Sequence, residues 1–544
     1  MPSHGLTSWS ACVVFACGLA SAATPPVVSP TGALLADGGA ANDAMGTAMV
    51  ARDGLLLIGA RGDDSIAHNS GAVYCFQLGP DGYQQIQKIT PADPNLAEEY
   101  GHAVAIDSGR ALVGVPLAGG VAVLEFNGTS WVETGALFAG TPGDASDFGD
   151  AVAILGDRIA VGSPGSDEQA GRVDLFDLIN GEWRLEQSVL PPDATSNDRF
   201  GTALALGEDL LVIGSPYEDS AAPDAGAVFI YQPGDKGWEL LQTLIAPAAA
   251  SQEYFGRKLA LEDDLLVIGA YRRDEVAIDS GAAFVYRRGA EGFTLEATLS
   301  DPASVDGSEF GDAVDISGDR IVIGGPGDQV RGVGAGAMWT FTFTDGAWQA
   351  EARIESPTAS GYEFLGTSVC LDGEVVLGGA PLASLAASYA GATYLLDLSI
   401  DCDGDGRADV LAIANGEVED CNENGVPDSC DIAAGQEEDQ DDNGIPDSCF
   451  FDCNGNGVDD AQDILKNPNL DFNQNGVIDS CECFGDILID GIVDGGDLGQ
   501  LLIFYNLACG EGTANPDCKG DLNGDGEING ADLGLMLGYW GPCN

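Results

Sequence analysis

The sequence predicts an all-β fold, a seven-bladed propeller, followed by an acidic tail of cation-binding loops and a small helical pair. One observation is a pair of glycines thirteen residues apart that recurs seven times: Gly46 with Gly59, Gly101 with Gly114, Gly149 with Gly162, Gly201 with Gly214, Gly256 with Gly269, Gly311 with Gly324 and Gly366 with Gly379. Successive copies begin 55, 48, 52, 55, 55 and 55 residues apart, the signature of one structural unit repeated with small loop changes. The other is strand content. Each copy holds four short strand patterns, and four antiparallel strands in about 50 residues, seven times over, is the arithmetic of a propeller.

Residues 200 to 231 show the elements in order. Apolar and small residues alternate over 202 to 206, Glu208-Asp209 makes a turn, and 210 to 213 is an apolar run suited to a strand buried on both faces. A polar loop follows, then a strand over 226 to 231 and a fourth over 238 to 244. The seventh copy ends near Leu396 without a fourth strand. The stretch from 27 to 35 carries Leu35 at the distance from its glycine that Phe138, Leu190 and Ile245 have from theirs, so it is expected to complete the last blade and close the ring.

Phe200-Gly201 with Gly214-Ser215-Pro216, Phe148-Gly149 with Gly162-Ser163-Pro164, and Phe310-Gly311 with Gly324-Gly325-Pro326 resemble the FG-GAP repeats of integrin α-subunit propellers and their bacterial relatives. The resemblance covers residues 25 to 398. Met45, Tyr100 and Leu365 replace the phenylalanine but keep a bulky apolar side chain. The integrin family places DxDxDG calcium hairpins in several blades; the corresponding loops here, at Asp63, Asp167, Glu218 and Asp274, lack that pattern, and no calcium is expected in the propeller. Arg61-Gly62-Asp63 spells an integrin-recognition tripeptide inside one variant of a polar loop, where coincidence is the better reading. His68 and His102 read as surface or packing residues. No nucleophile elbow, HExxH or P-loop occurs, so no catalytic residue is assigned.

Composition narrows the function. Lys+Arg 21 against Asp+Glu 87 gives a net charge of -66, which repels phosphate backbones and anionic lipid, so nucleic acid is excluded as a partner. Residues 1 to 24 read as an export signal, with an apolar core over 9 to 19 and Ala20-Ser21-Ala22 as a cleavage site, although no Lys or Arg precedes the core. Lipidation of Cys17 is the weaker reading, because the apolar run before it is very short. No later run is long enough to span a membrane. Ten of the 14 cysteines lie between Cys402 and Cys543, which in an oxidising compartment reads as disulfides; zinc clusters are the weaker alternative with only 3 histidines. A secreted or cell-surface location is therefore expected.

The tail changes character after Leu398. Asp401, Asp403, Asp405, Gly406 and Asp409 follow D-x-D-x-D-G-x-x-D, in which alternate oxygens converge on a hard cation and glycine permits the turn. The pattern returns at Asp420, Asn422, Asn424 and Asp428, at Asp439, Asp441, Asn443 and Asp447, at Asp452, Asn454, Asn456 and Asp460, and at Asp471, Asn473, Asn475, Asp479 and Glu482. With their interleaved cysteines, loops 399 to 482 resemble thrombospondin type 3 repeats. Residues 483 to 544 differ: Asp521, Asn523, Asp525, Asn529 and Asp532 form a 12-residue loop before an apolar helix, and Asp486, Asp490, Asp494 and Asp497 repeat it upstream with Leu488 in the third position. This pair resembles a type I dockerin. Both resemblances imply Ca2+ as the cofactor, and the second implies a cohesin-like receptor as a partner. Disorder, the usual state of acidic tails, does not explain seven loops of one design.

The chain therefore reads as a non-catalytic adhesion or protein-interaction protein, with an extracellular protein or glycan on the propeller loops and the tail as spacer or docking module. The alternative is a component of extracellular polysaccharide degradation, a dockerin-linked glycoside hydrolase or carbohydrate-binding protein.

Overall fold

The computed structural model describes residues 25–80, 82–92, 98–139, 147–193, 195–358, 361–405, 407–422, 424–437, 439, 444–449, 460–470, 478, 487, 492–506, 520, 522, 526–538 and 540–542. The export-signal reading lies outside them. Residues Met1–Ile400 and Asp401–Asn544 form two compact units.

The first unit is a seven-bladed β-propeller. The fourth blade shows the plan: Ala203–Leu206, Leu211–Ser215, Ala227–Gly234 and Gly237–Leu244 pair in sequence order, all antiparallel. The second strand is buried along its whole length because a neighbouring blade covers each face, which is why it reads as a continuous apolar run. The outer two strands slip register between Ile230 and Tyr231, and the same bulge recurs between Cys75 and Phe76, Leu175 and Phe176, Val285 and Tyr286, and Thr340 and Phe341. A bulge increases local twist, which each blade needs as it fans outward.

The spacing of the glycine pairs has a steric cause. The first glycine of each pair holds φ between 89 and 98°, a region open to glycine at little cost. In blades three to seven its N–H donates to the carbonyl of the second, as Gly201 does to Gly214 at 3.0 Å. The second glycine then meets the first glycine of the next blade: a Cβ on Gly214 would stand 2.1 Å from the Gly256 carbonyl oxygen. The contact repeats around the ring and ends with Gly379 against Gly46, where the last blade meets the first.

The bulky residue before each first glycine is the core of each blade interface. Met45, Tyr100, Phe148, Phe200, Phe255, Phe310 and Leu365 all have 0% exposure. Phe200 packs between Val173 and Leu175 of the third blade and Leu211 and Ile213 of its own, with the Phe229 ring at 5.5 Å. Substitution of the aromatic in blades one, two and seven thus preserves the packing role. The blade rims are also tied: Gln187 Nε2 donates to the Trp238 carbonyl and the Trp238 N–H donates to Gln187 Oε1, and Gln242 treats Phe293 in the same way.

Ring closure differs in one detail from the expected single strand over 27 to 35. Gly32–Leu34 pairs antiparallel with Ala392–Asp397 and completes the seventh blade. Val27–Val28 instead runs parallel to Ala347–Glu355 as a fifth strand of the sixth blade. Ser29-Pro30 separates the two; proline has no N–H to donate to a ladder, so the segment divides there and serves two sheets.

Near that fifth strand lies the most deeply buried charge network. Arg353 contacts Asp301 and Asp328 at 2.7 Å and Glu355 at 2.8 Å, and lies over the Trp339 ring at 5.0 Å. Removing one partner of such a group leaves buried charge uncompensated. Arg353→Ala is expected to lower unfolding stability by about 3–5 kcal/mol, measured by denaturant titration, whereas Arg184→Ala, at an exposed pair with Glu182, should change it by less than about 1 kcal/mol.

The second unit has short helices after its loops, Asp409–Ala414, Asp428–Ala434 and Asp460–Lys466, and two longer ones, Gly495–Ile503 and Gly530–Gly538. Leu501 and Met536 pack with Val493 and Ile528, supported by Leu498 and Leu533. Disulfides Cys402–Cys430 and Cys421–Cys449 link the second position of one loop to the eleventh of the next. Cys75 and Cys370 in the propeller are free and buried. No described helix is long and apolar enough to cross a membrane.

Candidate functional site

Two places gather chemistry: the mouth of the propeller's central channel and the acidic loops of the second unit. The mouth follows from the repeat. In all seven copies the residue before the bulky apolar one lies in the left-handed region, φ 54 to 63°, at Ala44, Glu99, Asp147, Arg199, Tyr254, Glu309 and Phe364. Left-handed φ costs a non-glycine residue about 1 kcal/mol or more, and its presence in every blade marks it as a demand of the fold. What varies is the side chain it presents.

The channel is lined by the inner strands of all seven blades and encloses about 380 Å³. Its wall is mostly small, with Ala48, Ala103, Ala151, Ala203, Ala313 and Ser368 at one level; in the fifth blade Lys258 takes that place. His102 lies at the channel surface: its Nε2 is 3.3 Å from Asp150 Oδ1 and its Nδ1 3.5 Å from Glu99 Oε2. Arg257 faces Asp312 at 3.9 Å. Beside them Tyr217, Tyr254 and Tyr271 form a chain of rings, with centroids 4.9 and 5.4 Å apart. Arg199 lies 5.2 Å over Tyr217 and Arg272 5.6 Å over Tyr271. Periodicity could not find this cluster, because its members occupy variable positions of separate repeats.

Deeper in the blades, burial pushes the Asp315 carboxyl up to about 7, although its Oδ2 accepts from the Leu371 N–H at 2.9 Å. The folded state therefore holds a proton that the unfolded chain releases near pH 4, and this stabilisation is lost as pH rises from about 4 through about 7. Asp315→Asn is expected to remove that loss. In thermal melts, its Tm advantage over the wild-type protein should grow between pH 4 and pH 8; a constant difference would contradict the assignment.

In the first acidic loop, oxygens of Asp401, Asp403 and Asp405 lie within 4.8 Å of one another. The loop is tied by its own backbone: Gly404 N–H donates to Asp401 at 2.8 Å and Asp405 N–H to Asp403 at 3.0 Å. Asp409 is buried and accepts from the Cys402 N–H at 3.2 Å. Burial first, then Asp403, Asp401 and Asp405, push its carboxyl above the usual range. In the second loop Asp428 likewise accepts from Cys421, and Asp420 from Gly425. Asp431, which the repeat pattern did not single out, is the twelfth residue of that loop and accepts from Asn422 and Asn424 at 3.2 and 2.8 Å. Asp428 Oδ2 and Asp431 Oδ1 are buried with no hydrogen-bond partner. Converging carboxylates with unsatisfied buried oxygens are a donor set that fits a hard divalent cation.

The remaining candidates are placed unevenly. Asp439 accepts from the Gly444 N–H at 2.9 Å and Asp460 is buried at a helix start. Asp494 caps Gly495–Ile503 in a capping box with Asp497. Asp532 accepts from the Leu522 and Asn529 N–H groups at 2.8 and 2.7 Å, and Asn529 from that of Ala531. The side chains of Asp441, Asn443, Asp447, Asp452, Asn454, Asn456, Asp471, Asn473, Asn475, Asp479, Glu482, Asp486, Asp490, Asp521, Asn523 and Asp525 lie outside the described residues.

Comparison with known families matches the FG-GAP repeat at residues 29–76, 183–231, 238–286 and 293–341. Each matched segment holds the paired glycines and the buried residue before them. The propeller is built with FG-GAP repeats. No curated protein sequence matches the chain. Solved structures similar to it include a protein designated a 6-phosphogluconolactonase from Bacteroides uniformis, with 13% identity, TM-score 0.40, and coverage of 57% of this chain and 85% of that one. A protein of the same designation from Bacteroides fragilis has 10% identity, TM-score 0.41, and coverage of 57% and 84%. Hsv2 from Kluyvelomyces marxianus has 10% identity, TM-score 0.39, and coverage of 61% and 89%.

Within the FG-GAP propeller, Arg61-Gly62-Asp63 is not displayed for recognition. Asp63 is 1% exposed and pairs with Lys88 at 2.5 Å, and the Ser65 N–H donates to it. The FG-GAP propeller is a scaffold type, whose repeats specify rigid blades.

Proposed function

We propose that the chain is a secreted or cell-surface, non-catalytic interaction protein. The FG-GAP propeller presents loops to an extracellular protein or glycan, and the tail, ordered by calcium, spaces or docks it. The observation that carries this reading is the ring of FG-GAP repeats joined in one chain to loops whose carboxylates converge as Asp401, Asp403 and Asp405 do. Calcium would be held by the oxygens of these loops and would neutralise carboxylates that otherwise repel. Extracellular modules bind calcium at about 10⁻⁴ to 10⁻³ M, so occupancy would be permanent and structural.

The helical pair supplies the docking surface of this reading. Leu533 and Met536 face the core of the pair, whereas Leu502, Ile503, Leu537 and Trp540 are exposed. One apolar set holds the helices together and a second is left for a cohesin-like receptor. Pull-down of cohesin modules by the immobilised full chain, with calcium and with a chelator, tests it. Calcium-dependent capture lost in Trp540→Ala supports docking; capture of none reduces the pair to a cap of the tail.

A further inference from the structure

We propose that the mouth of the central channel binds a sugar acid, its carboxylate held by Arg199, Lys258 and Arg272 and its ring laid against the half-buried Tyr217 and Tyr271, which the buried Tyr254 holds between them. This assignment names a ligand class for the propeller and rests on reading the propeller as a binding scaffold.

Unpaired cations stand at the channel in a strongly acidic chain. Acids outnumber cations 87 to 21, so a lysine or arginine here has carboxylates in abundance, and most take them, as Arg158 does with Asp177 and Arg320 with Glu351. Among the described residues, Arg61, Arg199, Lys236, Lys258, Arg272 and Lys466 form no ion pair, and of these Arg199 and Lys258 line the channel while Arg272 adds its field to Asp312 beside it. Of the acids around them, Asp150 engages His102 and Asp312 engages Arg257, while Asp147 adds its field to Arg199 without an ion pair to it. Asp279 and then Glu309 add their fields beside Arg272 without an ion pair to it. Lys258 is open to the channel solvent, but the desolvating enclosure of the channel wall and then the Arg257 guanidinium hold its ammonium below the usual range despite Asp312 and Asp150, a condition that an incoming anion relieves.

The fold does not require these side chains. Six blades place alanine or serine at the level of Lys258, and the position of Arg199 holds Ala44, Glu99, Asp147, Tyr254, Glu309 and Phe364 elsewhere in the ring. Around the channel, arginines and tyrosines meet where the fourth and fifth blades adjoin.

Size and field select the ligand. A volume of about 380 Å³ lies at the small end of ligand sites, enough for one or two pyranose rings and too little for an extended acidic peptide. The net charge of -66 opposes any long polyanion, so a short acid or a chain end is favoured. Tyrosine offers an apolar face with a polar edge, suited to a ring with CH groups on its face and hydroxyls at its rim. Arginine pairs with a planar carboxylate in two-point geometry.

The test is calorimetric titration of the full chain with digalacturonate, its dimethyl ester and an aspartate tripeptide. The acid should bind, the ester about tenfold more weakly or less, and Lys258→Met and Arg272→Gln should each weaken the acid by about fivefold or more with unchanged Tm. Both positions are solvent-facing, so folding should survive. Equal binding of ester and acid, indifference of both variants, or no heat and no Tm shift with the digalacturonate would overturn the assignment. Tighter binding of the tripeptide through Lys258 would overturn its sugar part. Lack of uronate binding beside capture of another ligand on the propeller loops would sink this site and leave the scaffold reading standing; consumption of the uronate would sink the scaffold reading itself.

Discussion

Gly214→Ala should largely unfold the propeller or block its closure. The added Cβ stands 2.1 Å from the Gly256 carbonyl oxygen, an approach that real Cβ atoms do not make, and the opposing atom is backbone of the neighbouring blade. Relief requires the fourth and fifth blades to separate, which opens the interface packed around Phe255, itself fully buried against Phe284. The expected loss is at least about 3 kcal/mol, the range of severe core overpacking. Gly379→Ala should be as damaging, since it meets the Gly46 carbonyl at 2.1 Å where the ring closes. Gly135→Ala is the control: nothing lies within 4 Å of its Cβ and its backbone is extended, so stability should change by less than about 0.5 kcal/mol. Equilibrium unfolding of the three variants reads the difference.

Removal of divalent cations is expected to expand the second unit. Asp401, Asp403 and Asp405 hold their oxygens within 4.8 Å, and Asp428 and Asp431 bury oxygens without partners. Without a cation this arrangement sets like charges together at close range, and the short helices after the loops have too few residues to persist on propensity alone. A chelator should therefore raise protease sensitivity after residue 400 and lower helical circular dichroism, with the propeller unaffected. The disulfides Cys402–Cys430 and Cys421–Cys449 should keep the first three loops linked, so full release of fragments requires a reductant as well. A tail equally resistant with and without chelator would rule out a structural role for calcium.

The propeller was legible because each structural demand falls on a fixed residue type. Only glycine fits a φ above 89° and a backbone contact at 2 Å, and only a bulky apolar side chain fills the space taken by Phe200, so both survive every repeat and mark the period. Closure by the N-terminal segment was readable from the missing fourth strand. Its division between two blades was not, since pairing depends on which sheet edge lies nearby in space. The Gln187 and Gln242 ties were invisible for a similar reason, being contacts between residues about fifty apart that carry no pattern of their own. At the candidate sites, alternate Asp and Asn with glycine announced the acidic loops. Asp431 escaped because the twelfth position is acidic in only some of them. The channel mouth escaped entirely: Arg199, Tyr217, Lys258 and Tyr271 come from different repeat positions, and only the closed ring brings them together.

On the proposed reading this chain works by binding and not by turnover. The most direct measurement is incubation of the full-length protein, with calcium, against a panel of extracellular glycans and glycosides, following both retention on the protein and product release by mass spectrometry. Retention of at least one ligand with its mass unchanged over hours is expected. Release of a cleaved or modified product at the rate of added protein would contradict it.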